Sequence, residues 1–278
     1  MQKSRNATIF LIVGILCFGL LGSIYLVKSY NITYTYIINP LVWILFAVFL
    51  HFILGKNMEN KKLRKQIIQY SLVAAITFIL TYMISGLVVT FGKNPYDTTL
   101  KGFLYNFLAI GIVLIAKEYI RYKLINNVYD KHKTEIAILI GIVYVIIDFE
   151  FTKFIGRNFS VLWLARYIVQ YVAPNIAKNI VFSYTVIYSD YLPGMIYQLL
   201  TNLYFWVSPI IPNAPWVMVS IIEITIPIIL FLYIRFIKNK LNIYKSKEDI
   251  INSDPRNIIP LVIMIILAIW FAVRNIPN

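Results

Sequence analysis

Residues 67–89 read IIQYSLVAAITFILTYMISGLVV, a stretch without a single charged side chain. Because an α-helix rises about 1.5 Å per residue, roughly twenty such residues cross the hydrocarbon core of a bilayer, which is about 30 Å thick. The rest of the chain is similar, since its 278 residues are 60% hydrophobic and only 14% charged. A soluble domain is about a quarter charged. This composition excludes a secreted disulfide scaffold, a disordered tail and an ordinary cytosolic enzyme.

Blocks of the same kind recur along the chain and predict an all-α, polytopic membrane protein, a single helical domain over residues 1–278. Clear spans are predicted at about 8–27, 36–55, 67–91, 100–120, 134–152, 215–234 and 258–274. Two further apolar stretches, 159–173 and 192–208, leave the count open, because the first ends at Pro174 and Pro209 interrupts the second apolar run. Each is predicted to be a tilted span, a re-entrant piece or an interfacial helix. The total is therefore seven to nine transmembrane helices.

The basic residues are sorted by loop. The chain has 26 Lys and Arg against 12 Asp and Glu, a formal net charge of +14. The N-terminus and the loops after spans 36–55, 100–120 and 215–234 hold 18 of the 26 basic residues, which is the positive-inside pattern. We therefore predict a multi-pass protein of the plasma membrane, with a cytoplasmic N-terminus and the lipid bilayer as its partner. Since orientation accounts for the charge, no nucleic-acid partner is expected.

The same sorting of charge limits how many times the uncertain region 159–208 can cross the membrane. Span 134–152 is predicted to end on the outer face and span 215–234 to start there, so the region between them crosses the membrane twice or not at all. We favour two crossings and nine helices over seven helices with an amphipathic cap on the outer face. The last span then leads to an extracellular C-terminus at Asn278, where we expect an extracytoplasmic domain to follow.

Two acidic residues lie near the predicted outer end of span 134–152. Ionisable groups at membrane depth cost free energy and are therefore candidates for function. Asp148 and Glu150 are two residues apart, so on a helix their side chains point about 200° away from each other and cannot form a carboxylate pair. Pairing with Lys153 or Arg157 at a wet interface is the structural explanation, and a place on a substrate path is the functional one.

Glu223 lies deeper in the membrane, inside span 215–234. A lone carboxylate at this depth must face another helix, water or a partner. We predict that it pairs with Arg166 or Lys178, and a role in substrate handling is the alternative. Pro227, one turn further along, is expected to kink this helix.

Glu118 and Arg121 lie at the end of span 100–120. They are three residues apart and share a helix face. With the neighbouring Lys117, Tyr122 and Lys123 they form a charged exit from the membrane. We predict an ion pair at the cytoplasmic interface rather than a catalytic pair.

Patterns of known membrane enzymes do not occur in the sequence. Asp148 is not preceded by the Gly-x-Gly of intramembrane aspartyl peptidases, and Ser85–Gly86 does not belong to the Gly-x-Ser-Gly of rhomboid-type peptidases. His51 and His132 are far apart, so no His-Glu-x-x-His zinc motif is present. Cys17 is the single cysteine and cannot form a disulfide within the chain. We therefore assign no catalytic residue, metal site or cofactor.

Several stretches together resemble a known family. They are GKNPYDTTLKG (92–102), KEYIRYKLIN (117–126), LPGMIY (192–197), FWVSPIIPN (205–213) and WFAVRNIP (270–277). This set resembles the multi-spanning N-terminal membrane region of signal peptidase I-like proteins of clostridia and related low-GC bacteria.

The resemblance implies a serine endopeptidase domain on the outer face after the last span. In that family a serine in a Ser-Met-x-Pro setting is the nucleophile and a lysine is the general base. This sequence has no Ser-Met pair, and no serine follows Ser253, so the dyad has no counterpart here. The resemblance therefore implies that this chain anchors or guides signal peptides of secreted proteins beside a signal peptidase I-like domain that the chain does not contain.

Two other classes of function stay open. A small polytopic transporter or lipid flippase would need an intramembrane polar path. The candidate residues for such a path are Asp148, Glu150, Arg166, Lys178 and Glu223. A membrane-bound transferase of cell-envelope synthesis is the third option, although no motif indicates it.

Overall fold

The structure is a computed structural model that describes residues 8–15, 17, 34–54, 62–149 and 160–244. Within these ranges the chain forms eight helices and two short strands, which confirms the predicted helical class. The helices are α1 (8–15), α2 (Tyr34–Leu54), α3 (Arg64–Val89), α4 (Leu100–Asn126), α5 (Asp130–Ile147), α6 (161–188), α7 (Leu192–Val207) and α8 (Trp216–Tyr244), and the strands are β1 (Phe91–Lys93) and β2 (Ile210–Pro212).

Among the described helices, α2, α3, α4 and α8 are long and apolar enough to cross a membrane. Large apolar side chains on these helices point away from the bundle, for example Phe52 and Leu87, which are 79% and 78% exposed. Such a surface suits contact with lipid tails. The helix at the predicted span 134–152 starts earlier, at Asp130, and ends at Ile147. The predicted span 258–274 and the residue Glu150 lie outside the described residues.

The uncertain region 159–208 forms the two helices α6 and α7. The predicted end of the first helix at Pro174 is wrong, because α6 continues through this residue to Tyr188. Proline normally clashes with the carbonyl one turn earlier. Here the preceding turn, Ile168–Val172, is a π-helical turn, and Pro174 falls in the first turn of the α-helical segment that follows. The helix α7 ends at Val207, just before Pro209, as predicted.

The helices α2 and α4 also contain a π-helical turn. It occupies Tyr34–Ile38 at the start of α2 and Phe107–Gly111 inside α4. A π turn contains one residue more than the α-helical turn it replaces and often marks a functional site. The two π turns of α4 and α6 both lie well inside long helices.

The strands β1 and β2 pair antiparallel, with Phe91 opposite Pro212. The side chain of Asn94 reinforces the pairing, because its Nδ2 donates to the carbonyl oxygens of Phe205 and Ser208 at 2.6 Å each. The ends of α3 and α7 and the starts of α4 and α8 therefore lie together. We call this part of the bundle the sheet end.

The opposite end of the bundle is held by polar contacts between loops and helix ends. Arg64, at the start of α3, forms an ion pair of 2.5 Å with Asp190, between α6 and α7. Asn127, just after α4, donates to the hydroxyl of Thr8 at the start of α1 at 3.0 Å. We call this the basic end.

The buried apolar residues form two clusters. The first cluster comes mainly from α1, α2, α4 and α5 and includes Leu50, Ile120 and Ile136, and the second comes from α3, α6, α7 and α8 and includes Phe182 and Ile222. The helix α5 packs most extensively on α6, while α4 contacts both α6 and α7. These contacts join the two clusters.

Candidate functional site

Four buried polar side chains and one half-buried side chain, Gln198, occupy the place where the two clusters meet. The helix α4 supplies Glu118 and Arg121, α5 supplies Tyr144, α6 supplies Asn179 and α7 supplies Gln198. We call these five residues the junction. The residues from α4, α6 and α7 lie roughly 8 to 14 Å from the basic end, at about 1.5 Å of rise per residue.

The charged pair of the junction is formed as the sequence predicts. The spacing of three residues places Glu118 and Arg121 on one face of α4, and Arg121 Nη2 lies 3.4 Å from Glu118 Oε1. Its burial was not predicted, because both residues are only 1% exposed and are enclosed by neighbouring helices. The cytoplasmic position of the pair stays a prediction.

Residues of three other helices orient this pair. Arg121 Nη2 donates to Asn179 Oδ1 at 2.6 Å, and Gln198 Nε2 donates to Glu118 Oε1 at 2.7 Å. The Arg121 guanidinium lies over the Tyr144 ring, with 4.8 Å between its Cζ atom and the ring centroid. A cation against an aromatic face in a desolvated place gains about 2 kcal/mol or more, which compensates part of the desolvation of the guanidinium.

A glycine allows α7 to approach the Glu118 carboxylate. A Cβ atom at Gly194 would overlap Glu118 Oε2, and it would also meet the ring of Phe182 at 3.3 Å. Since glycine has no Cβ, the first turn of α7 lies directly on the carboxylate. Any larger residue at 194 would push α7 or Glu118 away.

The junction is not fully satisfied. Glu118 Oε2, Arg121 Nε and Arg121 Nη1 are buried and have no hydrogen-bond partner among the described residues. A buried polar atom without a partner costs about 1–3 kcal/mol, and more when the group is charged. Such atoms are uncommon in native proteins, and each calls for an explanation.

A cavity of about 320 Å³ adjoins the junction. We call it the Arg121 cavity. Its polar lining is Lys117, Glu118, Arg121, Tyr144, Asp148, Asn179, Gln198 and Asn202. Its apolar lining includes Ala109 and Ile110, which belong to the π turn of α4.

A second cavity, of about 410 Å³, lies between the end of α5, the π turn of α6 and the first half of α8. We call it the Glu223 cavity. Its charged lining is Asp148, Lys178 and Glu223. Asp148 lines both cavities, and its Oδ1 accepts a hydrogen bond of 2.6 Å from Lys117 Nζ.

The structure brings three of the predicted path residues together but corrects their pairing. The prediction that Glu223 pairs with Arg166 or Lys178 is wrong, because the structure contains no ion pair between Glu223 and any described residue. Arg166 instead stacks on Trp216, with 5.3 Å from its Cζ atom to the ring centroid. Trp216 lies two helical turns before Glu223 on α8, which separates Arg166 from the carboxylate by about 10 Å along the axis.

Asp148 directly follows the last residue of α5, close to the predicted end of span 134–152. Its partner is Lys117 on α4, whereas the expected partners Lys153 and Arg157 lie outside the described residues, as Glu150 does.

Sequence reasoning missed the amide partners in the junction. Gln198 and Asn202 are amides one turn apart in a mostly apolar helix, which is a signal that they find polar partners. Asn179 could have been found in the same way, since amide groups inside apolar helices normally find partners on other helices. Gly194 had no signal of its own, because glycine is common near helix starts.

The side chains of the two cavities can bind a charged or polar ligand. Within the described ranges no group of three His, Cys, Asp or Glu residues could hold a metal ion. The cavities offer ammonium, guanidinium, carboxylate and amide groups, which recognise charged and polar ligands by hydrogen bonds. A comparison of the chain with protein-family models, curated proteins and solved structures finds no match to any of them.

Proposed function

We propose that this protein is a small polytopic carrier of the plasma membrane that takes a polar solute or a lipid headgroup through its helical bundle. The observation behind the proposal is that charged residues of α4, α6 and α8 line two cavities that share Asp148, which directly follows α5. Ionisable groups inside a membrane domain commonly mark the route of a polar substrate. The two cavities are the candidate route for such a substrate.

The proposed topology has nine transmembrane helices, a cytoplasmic N-terminus and an extracellular C-terminus. Two features of the bundle support it. The pairing of β1 with β2 joins the end of α3 to the start of α8, and the charge pattern assigns both to the outer face. The ion pair of Arg64 with Asp190 joins the start of α3 to the turn between α6 and α7, as two crossings by α6 and α7 require.

The accessibility of the cavities to water tests the proposal. Cys17 is the only cysteine, so Cys17→Ser gives a background in which single cysteines can be introduced. We expect Lys178→Cys and Glu223→Cys to react with a membrane-impermeant thiol reagent added to either side of oriented vesicles. The matched control is Ile222→Cys, which neighbours Glu223 but is 0% exposed and should stay unmodified.

The outcome separates a carrier from a static site. Reaction of the cavity cysteines from both sides supports the carrier. Reaction from one side only, or from neither side, contradicts it.

A role beside a signal peptidase I-like domain is the second proposal. One observation favours it: the Pro-rich stretch that belongs to the resemblance forms β2 at the sheet end, and the charge pattern assigns that end to the outer face. Signal-peptide processing by the full-length protein would test it. We expect Glu223→Gln to reduce processing if the Glu223 cavity guides the substrate, and unchanged processing would remove Glu223 from that role.

A further inference from the structure

The Arg121 cavity combines two features that point to a bound ligand. Arg121 is 1% exposed and lines the cavity, yet its Nε and Nη1 atoms have no hydrogen-bond partner among the described residues. The volume of the cavity, about 320 Å³, lies in the range of ligand sites, roughly 300–1,000 Å³. Guanidinium N–H groups bind the oxygen atoms of carboxylates and phosphates strongly.

The charges around the cavity restrict the ligand further. The positive charges of Lys117 and Arg121 balance the negative charges of Glu118 and Asp148, and both pairs form close contacts. A simple anion would leave a net negative charge in a medium of low dielectric, which is unfavourable. A ligand that carries one negative and one positive group leaves the balance unchanged.

Asp148 is suited to the positive group. Only one of its carboxylate oxygens, Oδ1, binds Lys117, and the side chain lines the cavity while 35% of it is exposed. A carboxylate oxygen accepts hydrogen bonds from a primary ammonium group, which has N–H donors. A trimethylammonium group has none, so the site should distinguish the two.

We propose that the Arg121 cavity binds a zwitterion whose carboxylate or phosphate contacts Arg121 and whose primary ammonium group contacts Asp148. The ligand is either a free solute, such as an amino acid, or the headgroup of an aminophospholipid. Glu118 and Arg121 lie roughly 8 to 12 Å along α4 from the basic end, which is within reach of both. The statement that this ligand is the transported cargo rests on the carrier function proposed above. The statement that the cavity binds the ligand does not.

Calorimetric titration of the purified full chain in detergent tests the binding. The probes are glycerophosphoethanolamine and glycine, which each carry one negative and one positive group at neutral pH, with glycerophosphocholine and inorganic phosphate as comparison ligands at equal ionic strength. We expect glycerophosphoethanolamine or glycine to bind at least tenfold more tightly than both comparison ligands, because a hydrogen bond between charged groups changes Kd by roughly tenfold or more. Equal affinity for phosphate and for the zwitterions would overturn the proposal.

Lipid probes distinguish the two sources of the ligand. The thermal unfolding of the protein is measured in nanodiscs of phosphatidylcholine with phosphatidylethanolamine or phosphatidylglycerol added. Stabilisation by phosphatidylethanolamine alone supports a lipid headgroup, and binding of soluble zwitterions alone supports a free solute. Absence of both responses would overturn the proposal.

Variants link the binding to the two named side chains. Arg121→Lys should weaken binding of the zwitterion roughly tenfold or more, since lysine cannot present the planar guanidinium donors. The matched control is Arg235→Lys, because Arg235 is an exposed arginine on α8, and its Kd should equal that of the unchanged protein.

Asp148→Asn provides a second variant if Arg121→Lys does not fold. Its side chain is partly exposed, so the variant should remain folded. We expect weaker binding of glycerophosphoethanolamine but unweakened binding of phosphate, because the loss of Asp148 frees Lys117. Unchanged affinity of Asp148→Asn for glycerophosphoethanolamine would overturn the proposal. Tight binding with cysteine labelling from one side only would leave this site intact and contradict the carrier function.

Discussion

Compared with the two apolar clusters, the junction stabilises the bundle by a different kind of contact. The clusters consist of side chains such as Leu50 and Ile222, which are 0% exposed. In a bilayer, apolar contacts between helices gain little from leaving lipid, because the tails are equally apolar, so packing decides their contribution. Charged groups have no comparable alternative in lipid. The clusters therefore favour close packing in general, whereas the junction specifies which four helices must meet.

The strongest test of this contrast is the loss of one junction charge. Glu118→Gln leaves the Arg121 guanidinium buried without a counter-charge, and we expect it to lower the free energy of unfolding by about 3–5 kcal/mol. The measurement is denaturant unfolding in mixed micelles. The double variant Glu118→Gln with Arg121→Met removes both charges, so its free energy of unfolding should fall by less than that of Glu118→Gln alone. A larger fall in the double variant than in the single one would show that the two charges are not coupled.

Apolar truncation tests whether the clusters are independent. We expect Ile136→Ala in the first cluster and Ile222→Ala in the second each to cost about 2 kcal/mol through the cavity left behind. Since the two residues belong to different clusters, the costs should add within about 0.5 kcal/mol. The check is a double-mutant cycle under the same unfolding conditions. A larger coupling would mean that the clusters act as one core.

The close approach of α7 to the junction is tested at Gly194. Gly194→Ala should cost about 1–3 kcal/mol, because its Cβ overlaps the Glu118 carboxylate. The matched control is Gly141→Ala on α5, whose new Cβ would meet its nearest neighbour at 3.5 Å, an ordinary contact. This control should be neutral or stabilising by up to about 1 kcal/mol. The measurement is the thermal unfolding of both variants. Equal changes in stability would contradict the close approach of α7 to Glu118.

The ion pair of Lys117 with Asp148 should contribute much less than the buried pair beside it. Its side chains are 19% and 35% exposed, and pairs that reach solvent contribute about 0–1 kcal/mol. We therefore expect Lys117→Met to change the free energy of unfolding by less than about 1 kcal/mol. Lys117 Nζ also lies 5.0 Å from the Trp43 ring centroid, so a change in tryptophan fluorescence should accompany the substitution. A loss as large as that of Glu118→Gln would remove the distinction between the two pairs.

The smallest expected effect on stability is at Asp97, whose carboxylate is exposed to water and serves as a comparison for the buried Glu118. Its Oδ1 accepts from the backbone N–H of Thr99 at 3.0 Å, and this hydrogen bond holds the pKa of Asp97 below its usual value. The native state therefore favours the charged form. The resulting stability is present above the ordinary pKa, about 4, and is lost as the pH falls through the lower pKa of the folded state. As the pH is lowered through this window, the free energy of unfolding should fall slightly. The Asp97→Asn variant should not show this fall.

The helices were predictable from long apolar runs, whereas the contacts between distant residues were not predictable from the sequence. The run 67–89 predicts α3 within a few residues, because length and hydropathy alone decide whether a segment can cross a bilayer. The spacing of Glu118 and Arg121 predicts their pairing, since it depends on one helix only. The burial of that pair depends on α6 and α7, so the positions of Asn179 and Gln198 could not follow from local pattern. The three-residue strands are too short for alternation of side chains to reveal them.

The π turn at 107–111 gives the site an unusual dependence on chain length. It adds one residue to α4 before Lys117, Glu118 and Arg121. Regular α-helix over the same five residues would rotate everything after it by about 100°, and all three charges would leave the junction without any change in their identity. Deleting one residue from the π turn should restore regular α-helix and keep the three charges in place. Deleting one residue between this turn and Lys117 has no such compensation and should remove the polar interior more completely than any single substitution.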